Sequence, residues 1–151
     1  MREMDTTDED GESEVASRPL AGKSVLVTGA AKRIGRAIAL RLAASGANVA
    51  IAYRGSEGEA EATVGDLVAL GVEAVAIRVD LNDAASITAM VATAVAKFGR
   101  LDMVVNNAGV FESAALESIT VEQWDGMFAT NTRAPFLVAQ AAYPHLRAAG
   151  S

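Results

Sequence analysis

The sequence predicts an α/β fold, an open doubly wound sheet of parallel strands in the order 3-2-1-4 with helices on both faces. First, the short apolar run 24–28 leads directly into a glycine turn and then into apolar residues at helical spacing. Second, strand-like and helix-like patterns alternate along the rest of the chain. Third, 51% of the 151 residues are hydrophobic and only 5% are aromatic, which favours a core of Ala, Val, Leu and Ile within one domain.

The elements follow from periodicity and from the residues that end them. After strand 24–28, the spacing of Ile34, Ile38 and Leu42 predicts a helix that packs on the sheet through these residues and closes near Gly46. The other predicted elements are strand 48–53, helix 57–70 ending at Gly71, strand 73–79, helix 83–98 closed by Gly99, strand 101–105, and a helix that starts with a capping box at 120–123 and is interrupted near Pro135.

Charge divides the chain into two parts. Residues 1–18 hold seven acids and two bases, which predicts a disordered acidic tail, with an interaction tail as the alternative. Residues 19–151, the predicted domain, hold twelve acids and eleven bases, so no basic field for nucleic acid is expected.

Composition also limits the compartment and the chemistry. Cysteine is absent, which excludes disulfides and thiolate chemistry and fits a reducing compartment. No uncharged run is long enough for a membrane span, and the acidic N-terminus does not resemble a signal peptide. We therefore predict a cytoplasmic protein without membrane contact. No metal site is expected, because the single histidine, His145, has no carboxylate cluster around it in the sequence.

The turn after the first strand predicts a nucleotide diphosphate site. Glycine at positions 29 and 35 allows a tight turn and a close approach of backbone to ligand, and the helix amides that follow attract phosphate. A tight turn without a ligand is the alternative. The predicted binding residues in this turn are Gly29, Lys32, Arg33, Ile34 and Gly35.

The end of the second strand predicts which dinucleotide binds. Sites for the unphosphorylated cofactor commonly place an acid here, but this chain has Arg54 and Ser56. Together with Lys32 and Arg33, these side chains suit a 2′-phosphate, so the sequence predicts NADP(H). The alternative for Arg54 is a solvated loop arginine.

Three motifs in order resemble the short-chain dehydrogenase/reductase family, from about Leu20 to the last residue: the glycine turn, Asp80-Leu81, and Asn106-Asn107-Ala108-Gly109. Arg33 stands where that family usually has its middle glycine, which resembles the pteridine reductase branch, although Gly109 replaces a serine that pteridine reductases often have. The resemblance implies that Asp80 and Leu81 lie at the adenine, with Asp80 contacting its amino group, and that Asn107, Ala108 and Gly109 line the cofactor. From the residues alone, Asp80 could instead cap a helix, for which Asn82 and Asp83 are better placed, and the asparagine motif could be turn chemistry.

The resemblance also implies the reaction, hydride transfer between nicotinamide and a small-molecule carbonyl, alcohol or pteridine. Asn131 matches the family's asparagine that holds a proton-relay water, whereas the catalytic serine and the Tyr-x-x-x-Lys pair are expected beyond Ser151. The expectation is therefore a Rossmann-type domain truncated after about four strands, the cofactor-binding half of a reductase. A non-catalytic nucleotide-binding or split-protein module is the alternative.

Three predictions concern the last helical region. Trp124 and Phe128 are four residues apart and are expected in the core. The helix after Pro135 is apolar nearly all round and is expected to be covered on every side. Because the resembled family uses this helix at a subunit interface, the complete protein is expected to be a homo-oligomer. Burial of the helix under elements that this chain lacks is the alternative.

Overall fold

The structure, a computed structural model, describes residues 18–150 and contains one parallel sheet. Its strands are β1 (Ser24–Thr28), β2 (Asn48–Tyr53), β3 (Ala74–Arg78) and β4 (Met103–Val105). Their order is β3-β2-β1-β4, and all three pairings are parallel. The predicted sheet is confirmed. Apart from Arg18, the predicted acidic tail lies outside the described residues.

Five α-helices cover the two faces of the sheet or extend from it. They are α1 (Arg33–Ala44), α2 (Glu57–Ala69), α3 (Ala84–Phe98), α4 (Val121–Phe128) and α5 (Ala134–Ala149). A 3-10 turn covers Leu116–Ser118, and a π-helical turn, Ala129–Arg133, joins α4 to α5. The predicted capping box at Thr120 and Gln123 and the predicted break before Pro135 are both confirmed.

The core consists of two layers because alternate residues of a strand face opposite sides of the sheet. On one side, Val25 and Val27 of β1 share a buried cluster with small residues of α1 and α2. On the other side, Leu26 packs with buried residues of α3 and α5. This arrangement on both faces is the doubly wound architecture.

The predicted packing face of α1 is wrong at Ile34. That side chain is 72% exposed, and the buried residues of α1 are Gly35, Ala39 and Ala43. Small side chains allow the helix to lie close to the strands, so the larger Ile38 and Leu42 flank the contact as partly buried residues.

The predicted core positions of the two α4 aromatics are also wrong for the described residues. Trp124 and Phe128 are 54% and 48% exposed, and their rings stack with centroids 4.7 Å apart. Helix α5 buries only the face that carries Ala134, Val138 and Ala142. The helical spacing identified real pairs of neighbouring side chains, but spacing alone does not say which face meets the sheet.

Asp102 forms a buried polar cluster at the amino end of the sheet. Its carboxylate is bound by Arg100 Nε at 2.8 Å and Nη2 at 2.5 Å, by Lys23 Nζ at 3.2 Å and by the backbone amide of Ser24 at 2.9 Å. Burial alone would raise the pKa of Asp102, but the bonds from Arg100, Ser24 and Lys23 outweigh it and lower the pKa to about 2. The backbone amide of Asp102 also donates to the carbonyl of Ser24 at 3.0 Å, so residue 102 joins β1 through both its backbone and its side chain, although β4 itself begins at Met103, two residues later than predicted.

Residues 18–150 contain neither a candidate membrane-spanning helix nor a candidate metal-binding cluster. No helix there combines the length and the apolar character that a bilayer crossing requires. No group of three or more His, Cys, Asp or Glu side chains in that range is arranged to hold a metal ion.

Candidate functional site

A cleft of about 420 Å³ opens at the carboxyl edge of the sheet. The glycine turn after β1 forms one wall, and the segments that follow β2, β3 and β4 form the others. Eleven of the twelve predicted cofactor residues line this cleft: Gly29, Lys32, Arg33, Ile34, Gly35, Arg54, Asp80, Leu81, Asn107, Ala108 and Gly109. The twelfth, Ser56, lines an adjoining space of about 310 Å³, hereafter the side cavity, which shares Lys32 and Arg54 with the cleft.

Glycine is required at two positions of the turn. Gly29 has φ +66°, and a Cβ there would lie 2.9 Å from the Cα of Ala108. A Cβ on Gly35 would lie 2.5 Å from Asn107 Nδ2 and 2.8 Å from the Cα of Ala30. The turn is thus packed against the segment after β4, and any side chain would force the two apart.

Arg33 adopts a conformation that is unusual for its residue type. Its φ is +55°, and it is the sole non-glycine residue with positive φ in the described range 18–150. A side chain in the left-handed region costs about 1–2 kcal/mol. This strain lies on the wall of the cleft, and it explains in physical terms why glycine suits this position in related motifs.

The start of α1 offers hydrogen-bond donors to the cleft. Within the part of the chain that is described, the N-cap residue Lys32 makes no side-chain capping bond, and the first turn carries no acid. The first-turn residues 33–35 all line the cleft. Uncapped amides and the positive end of the helix dipole therefore lie beside this space, a setting that favours an anion.

Thr28 organises the cleft, although sequence reasoning did not select it as a site residue. Its Oγ1 accepts hydrogen bonds from the backbone amides of Asn107 and Ala108, both at 3.1 Å. In return, Asn107 Nδ2 donates to the carbonyls of Thr28 at 3.0 Å and Gly29 at 3.1 Å. The sequence could have indicated this role, because a threonine hydroxyl at the end of a buried strand requires hydrogen-bond partners.

The side chain of Asn131 forms two hydrogen bonds with the segment after β4. Its Oδ1 accepts from the amide of Val110 at 2.8 Å, and its Nδ2 donates to the carbonyl of the same residue at 2.7 Å. It lies in the π-helical turn, a distortion that often marks functional sites. Gly109 leaves room for it, since a Cβ there would lie 3.3 Å from Asn131 Oδ1. Asn131 itself does not line the cleft, whereas Val110 does.

Asp80 reaches the cleft without capping a helix. Its Oδ1 accepts from the amide of Asn82 at 2.9 Å. The cap of α3 is Asp83, whose carboxylate accepts from the amides of Ala85 and Ser86, both at 3.1 Å. The capping alternative for Asp80 is therefore wrong, and the preference for a later residue is confirmed.

The cations that line the cleft and the side cavity differ in their partners. Lys32 Nζ lies 3.1 Å from Glu59 Oε1. Among residues 18–150, neither Arg33 nor Arg54 forms an ion pair. The Glu59 carboxyl has a lowered pKa, first because of its own backbone amide and then because of Lys32.

Several lining residues were not predicted from sequence. Tyr53 is the last residue of β2, Val79 follows β3, and Asn82 comes three residues later. Thr130, from the π-helical turn, donates from its Oγ1 to Asn82 Oδ1 at 3.4 Å. Nothing in the residue types marks these positions. Only the order of the strands brings them together.

A four-stranded, doubly wound parallel sheet with a glycine turn at its carboxyl edge defines an α/β protein of the Rossmann type. A family description, short chain dehydrogenase, matches residues 23–151. The chain belongs to the short-chain dehydrogenase/reductase family.

Known proteins place the chain in context. It is 43% identical over 138 residues to the hydroxynaphthalene reductase-like protein Arp2 of Metarhizium anisopliae, covering 91% of this chain and 52% of that protein. It is 44% identical over 124 residues to the 3-oxoacyl-(acyl-carrier-protein) reductase FabG of Staphylococcus aureus, covering 82% and 50%. A short chain dehydrogenase from Burkholderia cenocepacia, solved in complex with NADP, superimposes with a TM-score of 0.83 at 44% identity, covering 85% and 52%. The chain spans about half the length of the curated relatives it matches.

Proposed function

We propose that this chain forms the cofactor-binding part of an NADP(H)-dependent oxidoreductase that transfers hydride between nicotinamide and a small carbonyl, alcohol or pteridine compound. The observation that carries the proposal is the cleft itself, in which the uncapped start of α1 meets the carboxyl ends of β1 to β4. A diphosphate needs a tight glycine turn that its backbone can approach closely, together with free amides, and this edge offers both.

The donor set around the side cavity supports the phosphorylated cofactor. Lys32 and Arg54 supply cations, Ser56 supplies a hydroxyl, and no carboxylate is among the residues that line the cavity. A 2′-phosphate is a dianion, so cations attract it and an acid would repel it. NADP bound to the relative from Burkholderia cenocepacia supports the same assignment.

The bound cofactor would supply the hydride, and the residues of this chain would bind and orient it. We propose that Asp80 and Leu81 receive the adenine end, and that Asn107, Ala108 and Gly109 line the path toward the nicotinamide. Asn131 would fix the segment after β4 and hold the relay water. The serine and the Tyr-x-x-x-Lys pair that complete the chemistry would lie in the remainder of the whole protein, so we expect negligible turnover from these 151 residues alone.

Arg33 supports a relationship to the pteridine reductases within the family. Its positive φ shows that an arginine occupies a position where glycine would be easier to accommodate. Its side chain lies at the cleft, which supports a role in binding that offsets the strain. We propose this branch as the origin of the motif, with a carbonyl, alcohol or pteridine compound as the substrate.

The exposed aromatic surface on α4 and α5 supports self-association of the whole protein. Trp124, Phe128 and Phe136 are each about half exposed or more, with Phe136 at 63%. We propose that this surface is buried between subunits. Sedimentation of the whole protein should show a smaller particle for Phe136→Ser, whereas Phe111→Ser, in the exposed loop after β4, should leave the assembly unchanged; an unaltered particle for Phe136→Ser would contradict the proposal.

Nucleotide titration tests the cofactor assignment. Calorimetry with the purified chain should give tighter binding of NADPH than of NADH. Arg54→Asp should weaken NADPH by about ten- to a hundredfold, because a hydrogen bond to a charged group contributes about 1.5–3 kcal/mol, and should affect NADH little. Arg41→Asp, an exposed change on α1 away from the cleft, is the matched control. Equal losses for the two nucleotides, or no binding of either, would refute the assignment.

A further inference from the structure

Glu59 forms an ion pair with Lys32, one of the two cations that line the side cavity. It lies in the first turn of α2, three residues after Ser56, which lines the cavity. Its carboxylate pairs with Lys32, and Lys32 lines both the cleft and the side cavity. The two side chains are 48% and 53% exposed, so water and ligand can reach both partners of the pair.

The pair sets Lys32 apart from the other cations. Arg33 and Arg54 have no carboxylate partner among the described residues, whereas the charge of Lys32 is already countered. An anion that enters the side cavity can pair with Arg54 directly, because no carboxylate of residues 18–150 competes for that arginine. To pair with Lys32, it must first displace the carboxylate of Glu59.

We propose that Glu59 is a specificity-determining residue that competes with the 2′-phosphate of the cofactor for Lys32, an inference that rests on the proposed NADP(H) function. When a 2′-phosphorylated nucleotide binds, Lys32 exchanges the carboxylate for the phosphate, and the released Glu59 then lies near a second negative charge. The exchange weakens the binding of the 2′-phosphorylated nucleotide, and it does not affect a nucleotide that lacks this phosphate. Glu59 therefore reduces the preference for NADP(H) over NAD(H) that the cations create.

The position of Glu59 on α2 supports the competition. Its carboxylate is stabilised by its own backbone amide as well as by Lys32, and both contacts lower the pKa of the carboxyl. Anions favour the first turn of a helix because of the exposed amides and the helix dipole. The ionised form of Glu59 is therefore favoured, and it is this form that pairs with Lys32.

Two small probes isolate the 2′-phosphate. Adenosine 2′,5′-bisphosphate and adenosine 5′-monophosphate differ only by that group, and calorimetry on the full chain gives a dissociation constant for each. Glu59→Gln should tighten the bisphosphate by about two- to fivefold, the range expected for an exposed ion pair, and leave the monophosphate unchanged. Glu57→Gln is the matched control, since Glu57 lies in the same first turn but forms no ion pair with a described residue. It should change neither constant.

A second pair of variants, made in a protein that lacks Lys32, distinguishes competition for Lys32 from general charge repulsion between Glu59 and the phosphate. In a Lys32→Met protein, the gain from Glu59→Gln should shrink, because no lysine remains to be released. An equal gain in both backgrounds, an equal gain from Glu57→Gln, or weaker bisphosphate binding by Glu59→Gln would each overturn the inference while leaving the proposed function intact. Failure of the wild-type chain and of Glu59→Gln to bind either probe would overturn the proposed function and this inference together.

Discussion

The two ends of the sheet use charge in opposite ways. At the amino end, the side chain of Asp102 is 3% exposed and is bound by two cations and a backbone amide. At the carboxyl end, Arg33 and Arg54 are exposed and have no carboxylate partner within residues 18–150. Fully satisfied polar groups fix the strands together, whereas unsatisfied donors and strain are retained where a ligand can use them. Stability and binding are thus assigned to different edges of the same strands.

Removing the carboxylate at the amino end should have the largest effect on stability. Asp102→Ala leaves the buried amide of Ser24 without its partner and removes the acceptor that Arg100 and Lys23 share, so we expect a loss of about 2–3 kcal/mol in the free energy of unfolding. Chemical denaturation measures the loss. Asp66→Ala, which breaks the exposed pair with Arg36, should cost no more than about 1 kcal/mol. Equal costs for the two variants would contradict the contrast between the edges.

At the carboxyl end, a single methyl group should damage the turn. Gly35→Ala places a Cβ against Asn107 and Ala30, so we expect a loss of about 1–3 kcal/mol in stability, together with weaker nucleotide binding. The control is Gly65→Ala in α2, where a Cβ meets nothing within 4 Å, and which should gain about 0.5–1 kcal/mol from the better helix propensity of alanine. A neutral Gly35→Ala would show that the turn can widen without cost.

Acid should weaken the amino end selectively. The folded pKa of Asp102, about 2, lies below its ordinary value of 3.8, so its contribution is fully present above about pH 4 and is lost as the pH falls through about 2. The shift corresponds to about 2 kcal/mol. Denaturation at several pH values, compared with Asp102→Asn, measures it: the difference between the two proteins should narrow on acidification. A constant difference from pH 6 to pH 2 would refute the role of this carboxylate.

The smallest expected effect concerns the strained arginine. Arg33→Gly should stabilise the fold by about 1 kcal/mol, because glycine adopts φ +55° without steric cost. NADPH binding should weaken at the same time, since a cation leaves the cleft. Arg36→Gly, in the regular part of α1, should instead destabilise the protein. Loss of stability for Arg33→Gly would show that its side chain supports the fold.

The sequence predicted the sheet well, because each strand is a mainly apolar run bounded by turn residues, and β1 and the centre of β2 are buried. Strands β1 and β2 have the predicted bounds, and the strand order is as predicted. The cleft was also largely predictable, since parallel strands bring the segments after their carboxyl ends together. Predicted residues from all four of these segments line it.

What could not be predicted depends on which face of an element meets which neighbour. Periodicity gave the spacing of Trp124 and Phe128 but not their exposure. For Ile34 the sequence predicted both a contact with the sheet and a place at the cofactor, and the side chain lies at the cleft and not on the sheet. The Thr28 network and the Lys32 to Glu59 pair join residues far apart in the chain. Such contacts depend on the packing of α1, α2 and β4, which local patterns do not encode.

The π-helical turn has a consequence for how this chain tolerates insertion and deletion. A π turn contains one residue more than an α-helical path of the same height, and here that residue lies in the segment 129–133 around Asn131. Deleting one residue there would therefore restore an α-helical path of the same height, and α5 would keep the face with Val138 toward α3. The side chains within the turn would shift round the helix axis, so Asn131 would lose its two hydrogen bonds to Val110. The extra residue thus positions the amide of Asn131, whereas the packing of α5 does not depend on it.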